Sequence, residues 1–229
     1  MSELLSIGIL PLVLTLFAFR IGTLCQKKFK LPLFNPILVA AIVVLVVLSL
    51  IGMDRKSYQE GMKLLSWLMT PATVCLAIPM YQQIQALKKN LKAILAGVAA
   101  GTLSCLTMLL VCMVVLGFDR NLIVSLLPKG ITTAIGMPLT QLYGGTPSIA
   151  TLGIVFTGIF GNVLGIQFCK WFGITDEIAR GVAFGSGSHV IGTTKASELS
   201  PLSGAVSSLS LVVAGLMTAL LFPVLTGFL

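Results

Sequence analysis

Between Ile37 and Gly52 the chain reads ILVAAIVVLVVLSLIG, with no polar break longer than one residue. Such a run is close to the ~20 apolar residues that carry a helix across a bilayer. The first half of the chain divides into four runs of this kind. They lie at about Leu4–Cys25, Leu33–Gly52, Met62–Leu87 and Ala93–Gly117. QKKFKLP separates the first pair, the polar loop MDRKSYQEG follows the second run, and KKNLK separates the last pair.

The second half has a different texture. Ordinary spans are expected at about Ser148–Lys170 and Gly204–Phe228, but the segments before them, Asn121–Gly145 and Thr175–Ser200, are interrupted. In the first, a short apolar helix should end near LLPKG, because Pro128 disfavours helix in the residue before it and lacks an amide donor. ITTAIGM then restarts a helix. In the second, a helix capped by Thr175, with Asp176 and Glu177 in its first turn, should end in FGSGS, and HVIGTTKAS restarts one. Shifting the chain by 56 residues places Ile135-Gly136 on Ile191-Gly192, and each broken segment is followed by one continuous span. This is a weak internal repeat. The third run is open between two readings: Thr70 followed by Pro71 can start a half-helix, or Pro71 and Pro79 can merely kink a span.

Composition fixes the class. Of 229 residues 56% are apolar and 10% charged, and the mean hydropathy is +1.04. A soluble domain would need far more surface charge. The expectation is an all-α polytopic membrane protein of about 7–8 transmembrane segments, some discontinuous, forming a single integral membrane domain over residues 1–229. The N-terminus opens on an acid and shows no small-residue cleavage site, so it reads as a retained span. A formal charge of +8 is assigned to orientation and anionic headgroups of the bilayer, not to nucleic acid. Placing Lys27, Lys28 and Lys30 with Lys88, Lys89 and Lys92 in the cytoplasm puts the N-terminus outside, against a counterweight of Arg55, Lys56 and Lys63. The five scattered cysteines, Cys25, Cys75, Cys105, Cys112 and Cys169, contain no C-x-x-C and read as apolar packing residues, with neither disulfide nor metal implied.

Chemistry concentrates at the breaks. Irregular backbone at membrane depth survives only against protein or a water-filled cavity, so two breaks point to a polar cavity. Each restarted helix offers about half a positive charge at its start, beside Lys129 in one case and His189 in the other. Thr132 and Thr133 flank the first; Ser186, Ser188, Thr193 and Thr194 flank the second. This is anion-site chemistry suited to a small carboxylate. Each member also has a plainer use. Lys129 can snorkel, His189 can be a core histidine bonded to a backbone carbonyl, and Lys195 can neutralise Glu198 three residues away. His189 or Glu198 would carry the proton of a coupled cycle. Three G-x-x-x-G pairs, Gly97/Gly101, Gly161/Gly165 and Gly181/Gly185, allow close helix approach. There is no nucleophile, carboxylate pair, phosphate loop or metal cluster, so no enzyme and no cofactor are expected.

LPKGITTAIGM, followed by ARGVAFGSGSHVIGTTKASELSPLSGAVSSLSLVVAGLMTALLFP, resembles the LrgB/CidB family of bacterial membrane proteins, as do LPLFNPILVA and TPATVCLAIPMY. The likeness covers nearly the whole chain. The family pattern falls on Pro128, Lys129, Thr132, Thr133, Ala179, Arg180, Gly181, Gly185, Ser188, His189, Gly192, Thr193 and Glu198. It departs at Gly130, where the family commonly has serine, and at Ala134, often proline, which puts substrate preference in doubt. The resemblance implies a multi-pass protein of the bacterial cytoplasmic membrane, with an inverted-repeat transporter fold of crossed broken helices, in one of two roles. One is a holin/antiholin-like modulator of murein hydrolase activity and autolysis, acting with a small LrgA/CidA-type membrane partner. The other is a transporter of small monocarboxylates such as pyruvate, glycolate or lactate, the latter role known from plastid glycolate/glycerate relatives. The expected site is Lys129, Thr132, Thr133, Ser188, His189 and Thr193 around a small organic anion, in a homo-oligomer, expected as a dimer.

Overall fold

In the computed structural model the described residues are 2–29 and 34–229, and all of their regular structure is helical. Met1, residues 30–33 and the side chains of residues 2–8 and of Arg55 lie outside the description. So do the expected contributions of Glu3, Lys30 and Arg55 to orientation, and the expected start of the second span at Leu33. Five helices among the described residues are long and apolar enough to cross a membrane. The protein is an all-α polytopic membrane protein.

Two compact units divide at Cys75. In the N-terminal unit, α1 (Ser2–Phe29) pairs with α2 (Pro36–Ile51) around Ala18, Ala40 and Val44. The bounds of α2 follow from its ends. Asn35 accepts the amide of Ile37, Pro36 sits where an amide would be unsatisfied anyway, and Gly52 closes the helix at φ 66°. The expected polar loop MDRKSYQEG is instead partly helical. Here α3 (Arg55–Gly61) is capped by Asp54, which accepts the amide of Lys56 at 3.2 Å. Tyr58 on α3 meets Thr15 of α1, hydroxyl to hydroxyl at 2.9 Å. The loop reading missed a strong N-cap residue ahead of good helix formers.

Hydrogen bonding from the Ser57 side chain, with further backbone bonds, holds the Asp54 carboxyl below its ordinary value. A depressed carboxyl stabilises the helix above the ordinary value of 3.8 and loses that contribution as pH falls through the depressed one. Asp54→Ala is therefore expected to speed hydrogen exchange at the Lys56 and Ser57 amides at neutral pH. The difference from the parent should vanish in strong acid.

The third run does not begin a half-helix at Pro71. Pro71 lies inside α4 (Lys63–Cys75), and the chain yields at Leu76, before α5 (Ala77–Gln82). Pro79 cannot donate to the carbonyl of Cys75 four residues earlier, which accounts for the position of the break. Nor is KKNLK a loop. Lys88, Lys89 and Lys92 are exposed on one continuous helix, α6 (Ile84–Val115), whose inward stripe is Leu87, Ile94, Val98, Thr102, Leu106 and Met113. Lysine is a good helix former, and the apolar stripe passes the cluster without interruption.

The C-terminal unit, Leu76–Leu229, also holds α7 (Arg120–Leu126), α8 (Thr133–Leu142), α9 (Pro147–Trp171), α10 (Glu177–Leu199) and α11 (Pro201–Gly227). Thus the order short helix, break, helix, long helix occurs twice. One core cluster joins Leu106, Met113, Ile123, Val124, Leu127 and Phe222; another joins Leu87, Ile94, Val98, Val206 and Ala214. Asp176, not Thr175, caps α10, its carboxylate accepting the Ala179 amide at 2.8 Å. A charged acceptor outcompetes a hydroxyl at that position.

Candidate functional site

Between α7 and α8 the chain makes a 3₁₀ turn, Leu127–Gly130, that contains the predicted Pro128-Lys129 break. Ile131 is extended, and Thr132 (φ −71°, ψ 148°) stands as the cap residue of α8 without a side-chain capping bond. Thr132 and Thr133 are half-buried, and neither hydroxyl has a hydrogen-bond partner among the described residues. Lys129 is half-buried on the turn. A methyl built on Gly153 of α9 would lie 3.7 Å from its Cβ. Among the described residues no carboxylate comes within 4.0 Å of its ammonium group.

The second break is a single residue. His189 has φ 43° and ψ −138° inside α10, and it is the one non-glycine residue of positive φ among those described. GSGS was expected to interrupt the helix, yet Gly185 and Gly187 remain helical and the break falls just beyond. The backbone at His189 is held open from outside. Its ring is buried against α9, and Nε2 donates to the carbonyl of Ile154 at 2.9 Å. The ring lies over Gly158, where an added methyl would meet Cε1 at 2.6 Å. Asn162, one turn further along α9, donates to the Ile191 carbonyl at 2.9 Å, tying the restarted half of α10 to α9. His189 is thus bonded to a backbone carbonyl, the plainer of its two expected uses.

Its neighbours are also engaged. Thr193 donates to the His189 carbonyl at 2.9 Å and meets the Ser207 hydroxyl of α11 at 2.8 Å. Ser188 is buried and closes directly on Gly161 of α9. Lys195 donates to Glu198 at 2.6 Å, and the Glu198 side chain is 64% exposed. Of the residues expected to form one site, then, Ser188 and His189 face α9, Thr193 faces α11, and Lys129 approaches α9 beside the residue that binds His189. Thr132 and Thr133 head α8.

All three G-x-x-x-G pairs serve α10. Gly97 and Gly101 of α6 face its Val182 and Ser186, Gly161 and Gly165 of α9 face its Ser188 and Phe184, and its own Gly181 and Gly185 face Val206 and Ser207 of α11. Close packing is the use to which every pair is put. Held this way, the first break comes against α10 three residues ahead of the second. A small cavity of about 10 Å³ is lined by Gly130 of the first break, Ser186 near the second, Thr102 and Cys105 of α6, and Thr218 of α11. Sequence reasoning did not single out Thr102 or Thr218. The available signal was a hydroxyl inside an otherwise apolar continuous span, in one case directly after a G-x-x-x-G pair.

Residues 15–228 match the model of the LrgB-like family. The holin-like protein CidB of Staphylococcus epidermidis is 35% identical over 225 residues, covering 98% of each chain. The antiholin-like protein LrgB of Bacillus mycoides is 32% identical over 218 residues and 95% of each chain. An uncharacterised protein of Bacillus subtilis, YwbG, is 36% identical over 224 residues, 97% of this chain and 99% of its own. No solved structure matches.

Proposed function

The chain belongs to the LrgB-like family of multi-pass bacterial membrane proteins, and on that premise we propose that it is a holin-like or antiholin-like component of the cytoplasmic membrane. It modulates murein hydrolase activity and autolysis together with a small LrgA/CidA-type membrane partner, and it performs no covalent catalysis. The observation that carries this reading is 35% and 32% identity, over nearly the full length, to relatives of the two names. Deleting the gene in its host should change the rate of detergent-induced lysis and the murein hydrolase activity of the culture. Restoring the chain together with its small partner should reverse both changes, and unaltered lysis kinetics would sink the reading.

A second reading concerns what such a component moves. It is a carrier of small monocarboxylates, pyruvate, glycolate or lactate, with Lys129 as the cation that meets the anion. It is supported by a first helix break packed against α10 just ahead of the second and by a half-buried lysine without a carboxylate partner among the described residues. Movement of a weak acid would alter autolysis indirectly, so the two readings are compatible. Thr132 and Thr133 supply hydroxyls to the anion, and His189 or Glu198 carries a coupled proton. Assembly is as a dimer.

Proteoliposomes co-loaded with a fluorescent dye test the carrier. Saturable uptake of one of these acids is expected without dye release, and Lys129→Ala should reduce it at least about tenfold, the factor of one charge-assisted hydrogen bond. Dye release without saturation would instead mark a lesion-forming protein.

A further inference from the structure

Buried hydroxyls on the helices of this protein commonly close on the carbonyl four residues back. Ser125, Thr140, Ser208 and Thr226 all do so, at 2.6 to 2.9 Å. This is the ordinary way to satisfy a hydroxyl where water is scarce. Three buried hydroxyls have no partner at all among the described residues, those of Thr102, Ser188 and Thr218. Thr102 on α6 is 5% exposed and its Oγ1 is fully enclosed without a hydrogen-bond partner. Thr218 on α11 is 3% exposed and has no partner among the described residues, but its hydroxyl is not fully enclosed.

Thr102 and Thr218 line the same cavity, at the point where the first break (Gly130) comes against the helix leading into the second (Ser186). A cavity of about 10 Å³ admits about one water molecule and no three-carbon acid. The Gly130 side of the gap has no side chain: a methyl built there would stand 3.8 Å from both Cys105 Sγ and the Ser186 carbonyl. Neither the lining nor the two hydroxyls includes a charged group.

An enclosed, unbonded hydroxyl at Thr102 is costly unless something else bonds it during function, and Thr218 lines the same cavity with a second unbonded hydroxyl. We propose that this cavity is the closed constriction of a solute pathway. Thr102 and Thr218 bond water while the pathway is shut and the oxygen atoms of a small polar solute as it passes. The inference rests on the reading of the protein as one that moves a small solute, and it places the narrowest point on residues outside the expected anion site.

Cys105 gives a test that needs no knowledge of the solute. In the full chain with Cys25, Cys75, Cys112 and Cys169 replaced by alanine, a charged, membrane-impermeant methanethiosulfonate reagent, too large for the closed cavity, should modify Cys105 in membrane vesicles as the pathway opens. Thr102→Val, which puts a methyl where the orphaned hydroxyl stands, should leave the thermal midpoint unchanged or raised. It should slow solute flux about tenfold, the worth of one hydrogen bond to a polar group. An unmodified Cys105, or undiminished flux through Thr102→Val, overturns the inference. Saturable flux past an unmodified Cys105 leaves the carrier reading standing without it. A modified Cys105 in a protein with no saturable flux keeps the constriction and removes the carrier.

Discussion

His189→Ala is expected to destabilise the detergent-solubilised protein by on the order of 3 kcal/mol, and His189→Gly by less. The first figure combines the space left by a buried ring with the loss of its bond to the Ile154 carbonyl. The inverted order of the two variants is the sharper expectation. In a regular helix alanine is better than glycine by up to about 1 kcal/mol. At φ 43° and ψ −138° a Cβ is under strain, and glycine is relieved of about 1–2 kcal/mol of it. Thermal unfolding of the two variants side by side measures the difference. An alanine variant as stable as the glycine one would mean that the backbone at this position relaxes to a regular helix once the ring is gone.

The second large effect separates two glycines of one short segment. Gly185→Ala should cost about 1–3 kcal/mol or more, because a methyl there collides with the Ser207 carbonyl and stands 2.7 Å from the Ser210 Cβ on α11. The obstacle is largely backbone of an adjacent helix, so it cannot swing aside. Gly187→Ala meets nothing within 4 Å and should be neutral or stabilising by up to about 1 kcal/mol, since a helical glycine gives up more backbone entropy than alanine. Unfolding midpoints of the two variants in the same detergent decide the matter. Equal midpoints would show that α10 and α11 do not approach as closely as described.

These two glycines also mark how far the sequence can be read. Span positions follow from length and hydropathy, which is why α9 and α11 fall within a few residues of their expected bounds. The Pro128 break is legible because proline removes a donor and fixes φ wherever it stands. Glycine carries no such instruction. Gly185 and Gly187 permit a break and equally permit close packing; at Gly185 the choice falls to Ser207, a residue on another helix. The true break at His189 depends on Ile154 and Gly158, far away in sequence, and nothing local to GSGSHVIG encodes it. Thr102 was obscure for the same reason. A threonine in an apolar span normally bonds its own helix, and only the surroundings show that this one does not. The lysines of KKNLK mislead in the other direction, because their charge suggests the end of a helix that merely turns its wet face outward.

The position of α10 bears on how the protein reaches its membrane. Neither α8 nor α10 is among the five helices with the length and apolarity to cross a bilayer, yet α10 lies between α6, α9 and α11 and is gripped by glycines on all three sides. A ribosome delivering this chain to the translocon presents α10 before α11 has been made. With His189, Lys195 and Glu198 aboard, α10 has little partition energy of its own to enter lipid. It must wait at the interface, or within the translocon, until α11 is complete and the two can enter together. Chains cut short between Leu199 and Pro201 would leave α10 outside the bilayer, accessible to protease, with the first break never packed against it.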